Sequence, residues 1–214
     1  MFSYFSDPNY WMGLLYSIPA VLLALSVHEY AHAYAAYKCG DPTARNLGRM
    51  TLDPVKHLDP LGTICLLFFR FGWAKPVPIN SRNFKHPRKD NVIVSLSGVI
   101  ANFILSFVAY GILFFCLQFG LNNEIFVNIV YPIITLNITL GIFNLIPIPP
   151  LDGFQLVSSL FIHKASKVVN VLYRYGFIIL LLLIVFGFTS WLLGGFTTWL
   201  MNVYGSFFSL FVPA

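Results

Sequence analysis

Charge is scarce in this chain. Only 10% of its 214 residues are Asp, Glu, Lys or Arg, against about 25% in a typical soluble domain. Together with 57% hydrophobic residues and a mean hydropathy of +0.75, that scarcity excludes an ordinary soluble protein and defines an integral membrane protein. No Lys or Arg precedes Lys38. The basic n-region of a secretory signal peptide is therefore missing, and the first apolar run is expected to persist as a spanning helix. Cysteine is sparse too: Cys39, Cys65 and Cys116 are odd in number and far apart, which argues against a disulfide framework or a zinc ribbon. The net charge of +5 comes without a nucleic-acid-binding motif. Basic loops beside membrane segments account for it, so no nucleic-acid partner is expected.

What is present is a series of apolar runs. Tyr10 to Tyr37 exceeds the ~20 residues needed to cross a hydrocarbon core, with a kink expected at Pro19. Leu61 to Phe69 is too short to cross as a helix and is expected to dip into the membrane as a re-entrant hairpin. Asn91 to Phe119 and Ile125 to Ile146 are further spans, the second kinked at Pro132. They carry stripes of small and polar residues, Ser95, Gly98, Asn102 and Ser106 on one and Asn137, Gly141 and Asn144 on the other, suited to close helix packing. Tyr175 to Leu193 is a fourth span, and Thr197 to Val212, beyond Gly194-Gly195, a marginal fifth. The expected fold is all-α and polytopic, a bundle of about four to five transmembrane helices with a short re-entrant hairpin. Residues 1–160 would form the core of the protein, and residues 161–214 a basic linker with C-terminal spans.

All thirteen Lys and Arg lie in 38–89 or 164–174. The positive-inside rule then places both stretches in the cytoplasm and the N-terminus outside, provided Leu61–Phe69 enters and leaves on one side.

The chemistry sits in His28-Glu29-Tyr30-Ala31-His32. Residues four apart on a helix lie one above the other, so His28 and His32 offer two imidazoles to one point with Glu29 beside them. H-E-x-x-H is the pattern in which two His bind zinc and the Glu acts as base. A Glu inside a membrane-length apolar segment is costly, which favours a functional role. His32 lies about six residues, ~9 Å, from the cytoplasmic end of its helix. At similar depth, Pro147-Ile148-Pro149-Pro150 breaks the third helix and delivers Asp152 to the bundle.

With these elements in place, the chain resembles the site-2 protease family of intramembrane zinc metalloproteases, in a minimal form without PDZ or CBS domains. The matching residues are His28 to His32, Gly72 to Pro78, Ser97-Gly98 with Asn102, and Asn144 to Pro147 running through Leu151-Asp152-Gly153. The resemblance implies that His28, His32 and Asp152 ligate Zn²⁺ and that Glu29 is the general base. Asn102 and Asn144 become candidates for binding substrate or stabilising the oxyanion. His57, His86 and His163 are expected to be solvated loop residues, with gating of access to the site as the alternative for His57.

The function so implied is a zinc endopeptidase cleaving in or near the transmembrane segment of a single-span membrane protein or a residual signal peptide. It would reside in the cell membrane with its site near the cytoplasmic face. A membrane metal or ion carrier, or an inactive chaperone of the same fold, would carry similar residues for other purposes.

Overall fold

The computed structural model describes residues 8–69, 73–121, 123–161 and 166–212. Among the described residues eight α-helices follow in order: α1 (Pro8–Cys39), α2 (Thr43–Asn46), α3 (Pro60–Phe69), α4 (Pro87–Gln118), α5 (Glu124–Asn144), α6 (Asp152–Phe161), α7 (Ser166–Val185) and α8 (Phe188–Ser209). The fold is an all-α polytopic membrane protein, and α1, α4, α5 and α7 are long and apolar enough to cross a bilayer. Pro19 lies within α1 and Pro132 within α5, and both helices continue past them.

α1, α4 and α5 pack mutually and form the centre of the bundle; α6 lies against α4, α8 against α5 and α4, and α7 against α8. Small side chains make this contact possible. On α1 the buried positions include Ala20, Ala24, His28, His32 and Ala36 at four-residue spacing, with Ser26, Glu29, Ala33 and Cys39 buried beside them, while Trp11, Leu15, Ile18 and Leu23 face outward. The polar stripe of α4 packs inward as well: Ser95, Gly98, Asn102 and Ser106 are all buried. On α5 a Cβ at Gly141 would come within 2.7 Å of the Phe103 ring, so the two helices touch backbone to aromatic edge. Beyond the centre, Ala109, Leu113, Val130, Ile134, Ile138, Tyr204 and Phe208 close an apolar cluster between α4, α5 and α8.

Two expectations need correction. Leu61–Phe69 lies within a helix, α3, rather than forming the limbs of a hairpin. In an apolar segment a helix satisfies its own backbone hydrogen bonds, whereas a lone strand edge would not. Its flanks do meet: Leu58 and Ala74 form an antiparallel bridge, and the Lys75 N–H donates to the His57 carbonyl at 2.8 Å. The segment thus leaves and returns at one place. The second correction concerns the C-terminal helices. The expected span Tyr175–Leu193 is broken at Gly187, whose left-handed φ of +74° ends α7, while Gly194 and Gly195 lie inside α8. Left-handed backbone is where glycine is favoured, and helical glycines are tolerated where every backbone group must be paired internally.

The connection from α1 back to α4 is pinned by Asp41, which is fully buried. Its carboxylate accepts from the Thr43 N–H at 3.1 Å, the Thr43 hydroxyl, the Asn80 N–H at 2.7 Å and the Asn83 amide at 2.7 Å. Burial pushes the Asp41 pKa up, but these hydrogen bonds outweigh it and hold the group below the ordinary carboxyl value. A lowered folded pKa contributes stability that is fully present above the unfolded value of about 3.9 and lost as pH falls through the folded one. Asp41→Asn should therefore destabilise the purified protein by about 1–3 kcal/mol at neutral pH. Melting curves in detergent should show that deficit shrinking below about pH 4; a deficit that grows with acid would contradict the assignment.

Candidate metal centre

His28 and His32 project from the inward stripe of α1 towards α4 and the first turn of α6. Their Nε2 atoms are 3.0 Å apart, and Asp152 Oδ2 lies 3.2 Å from His28 Nε2 and 3.0 Å from His32 Nε2. The two imidazoles are buried and Asp152 half-buried.

Each ligand is oriented by something behind it. His32 Nδ1 faces the Val94 carbonyl at 2.8 Å, an atom that can only accept, so the ring proton sits on Nδ1 and Nε2 presents a lone pair. The Ser97 hydroxyl, which donates to the same carbonyl, lies 3.3 Å from that nitrogen. His28 Nδ1 faces Asn102 Oδ1 at 3.1 Å, which orients it likewise. Asp152 reaches the site because the turn after α5 is tight. A Cβ at Gly153 would fall 2.2 Å from the Leu145 carbonyl oxygen, so only glycine lets the first turn of α6 press against the end of α5. Gly98 is equally constrained: a Cβ there would lie 2.6 Å from both His28 Cε1 and His32 Nε2.

Three acceptor atoms therefore converge, and both ring protons are committed elsewhere. Such a set has room at its centre for a positive charge, a proton shared between imidazole and carboxylate or a metal ion. Ligand bonds of 2.0–2.1 Å in tetrahedral geometry separate donor atoms by about 3.3 Å, close to the spacing found, and two imidazoles with one carboxylate suit zinc. His28, His32 and Asp152 thus fit a single small divalent ion.

Glu29 is buried beside this cluster. Its Oε2 accepts from the Val77 N–H at 2.7 Å. Val77 stands between Pro76 and Pro78, and its side chain packs against Ala33 and Ala44. The strap carrying it is tied down by the Arg49 guanidinium, which donates to the carbonyls of Lys75 at 2.7 Å and Pro76 at 3.2 Å.

The structure thus brings together His28, Glu29, His32, Asp152 and Asn102. Asn102 is fully buried with both amide atoms occupied, Oδ1 by His28 and Nδ2 by Asn137, so it backs a ligand and has no free atom for substrate or an oxyanion. Asn144 donates to its own helix at the Leu140 carbonyl, 3.0 Å away. His57 is buried and donates from Nε2 to the Thr51 carbonyl at 2.8 Å, which corrects the expectation of a solvated side chain. His86 is exposed at the start of α4, and His163 lies outside the described residues. Val77, Val94 and Asn137 were not singled out for the site by sequence. The signal for Val77 was slight: a single N–H between two prolines.

A bundle of long apolar helices around a His-Glu-His-Asp cluster is the construction of a membrane-embedded metallopeptidase. The family model of peptidase family M50 matches residues 16–183, and the chain belongs to that family. It is 40% identical over 186 residues to a Bacillus subtilis protein named Putative zinc metalloprotease YwhC, covering 83% of this chain and 84% of that protein. It is 26% identical over 168 residues to Putative zinc metalloprotease Rip2 of Mycolicibacterium smegmatis, covering 77% of this chain and 64% of the relative. The Rip2 protein of Mycobacterium tuberculosis is 27% identical over 139 residues, 62% of this chain and 52% of its own length. No solved structure matches the chain.

The close approach of α4 gives a direct check on the cluster. Gly98→Ala should push the imidazoles apart and weaken metal binding by at least ~10-fold. Metal content of the purified variant by plasma mass spectrometry measures this, and full occupancy at limiting metal would refute it.

Proposed function

We propose that this protein is a zinc endopeptidase that hydrolyses a peptide bond in or near the transmembrane segment of its substrate. The observation that carries the reading is the pairing of a three-acceptor cluster with a buried carboxylate on the same turn of a membrane-length helix. His28, His32 and Asp152 would hold the ion, leaving one tetrahedral position open, which distinguishes catalytic from structural zinc. When bound, zinc supplies Lewis-acid polarisation of the scissile carbonyl and acidifies water.

The remaining work falls to the chain itself. Glu29 takes the proton of the attacking water and passes it to the leaving amine. The Val77 N–H holds Oε2 and so orients the Glu29 carboxylate. Asn102 and the Val94 carbonyl keep the imidazoles facing the ion. The substrates that suit such a site are single-span membrane proteins or residual signal peptides, whose scissile bond must be unwound from its own helix before attack. Residues 1–160 would be the catalytic core.

The distribution of Lys and Arg supports an orientation with residues 38–89 in the cytoplasm, the N-terminus outside and the site near the cytoplasmic face. A membrane-impermeant amine reagent should then label Lys38, Lys56, Lys75, Lys85 and Lys89 in inverted vesicles and spare them in intact cells. Labelling from outside would reverse the orientation.

For the reaction, Glu29→Gln should retain zinc while losing cleavage by ~10²–10⁴-fold. Co-expression with a panel of tagged single-span proteins reads cleavage, and metal analysis of the same variant reads zinc. Undiminished cleavage would remove Glu29 as the base. Zinc flux into proteoliposomes that ignores the substitution would instead indicate a carrier.

A further inference from the structure

His32 and His28 are set by different means. A backbone carbonyl, Val94, dictates the His32 tautomer directly. His28 faces a side-chain amide, which could in principle present either its oxygen or its NH₂ group in nearly the same volume. With the NH₂ group forward, His28 Nδ1 would have to accept, the ring proton would move to Nε2, and the lone pair needed by the metal would be gone. Something must choose between these arrangements.

The choice is made on α5. Asn102 Nδ2 donates to Asn137 Oδ1 at 3.1 Å, and Asn137 Nδ2 donates to the Ile133 carbonyl at 2.7 Å. Asn102 and Asn137 are both fully buried, so water does not substitute for either partner. The far end of this chain is a carbonyl, which cannot donate. That one fact fixes every member in turn: Asn137 must offer its NH₂ to Ile133, hence its oxygen to Asn102; Asn102 must offer its NH₂ to Asn137, hence its oxygen to His28; His28 must carry its proton on Nδ1.

We propose that Asn137, which touches neither the metal ligands nor the reacting atoms, is a positioning residue that sets the His28 tautomer through the buried Asn137–Asn102 amide pair. Three helices join in this setting, since the polarity of the Ile133 carbonyl on α5 reaches a ligand on α1 through a side chain of α4. The consequence for the metal rests on the zinc reading above, but the tautomer itself does not.

The test uses the full-length chain in detergent with two variants. Asn137→Leu keeps the volume and removes the relay. Asn137→Asp, kept neutral by its apolar burial, can donate its O–H to Ile133 and accept from Asn102 with its other oxygen. Nitrogen NMR of metal-free protein with ¹⁵N-labelled histidine, with the His28 signals identified by their loss in His28→Gln, reads the tautomer. Chelator competition reads the zinc dissociation constant.

The wild type should show His28 protonated on Nδ1. Asn137→Leu should populate the Nε2–H form and raise the zinc dissociation constant ~10–100-fold, the usual effect of losing an outer partner of a ligand. Asn137→Asp should recover most of both. A Leu variant with an unchanged tautomer overturns the proposal, as does an equal loss of affinity in both variants, which would mark Asn137 as a packing residue only. Should the wild type take up no zinc, the metal reading fails while the tautomer comparison still decides the relay.

Discussion

Three lone pairs point at one another in the middle of an apolar bundle, and the rest of the fold is arranged to keep them there. Left alone, two imidazole nitrogens and a carboxylate oxygen within 3.2 Å would swing apart or capture a proton. Close packing prevents the first, and the acceptors at both Nδ1 atoms fix which ring nitrogen of each imidazole faces the cluster. The Nδ1 atoms of both imidazoles are paired within the protein, and their Nε2 atoms face Asp152.

Packing and chemistry are consequently written with the same residues. Gly98 lets α4 approach α1, and the same absence of a Cβ leaves room for both imidazoles. Gly153 lets α6 abut α5, and thereby sets the reach of Asp152. The alanines of α1 lie on the very stripe that carries the ligands. A substitution chosen only to tighten helix contacts at these positions would displace a ligand, which is why the small residues here belong to the site as well as to the bundle.

Much of this was legible in the sequence, and the limits have physical causes. His28 and His32 could be paired from helical spacing alone, and the prolines before Asp152 announced a loop bringing a carboxylate to membrane depth. The small-residue stripes of α4 and α5 marked the faces that pack. Asn102, by contrast, looked free to meet a substrate, because nothing in a linear sequence shows that both ends of an amide are already used. Val77 and Val94 act through their backbone atoms, and the side-chain alphabet carries no record of that. The break between the last two helices followed the same logic. Three glycines lay within ten residues, and it is conformation rather than identity that singles out Gly187.

The strap that holds Glu29 has a property of register. Pro76 and Pro78 have no N–H to give, so the Val77 nitrogen is the sole backbone donor in that triplet. A slip of the strap by one residue in either direction would bring a proline nitrogen opposite the carboxylate and offer it nothing. The contact is therefore digital: it exists in one alignment of the strap and in neither neighbouring one. Arg49, clasping the two carbonyls just upstream, acts as the catch that keeps the strap on that single notch.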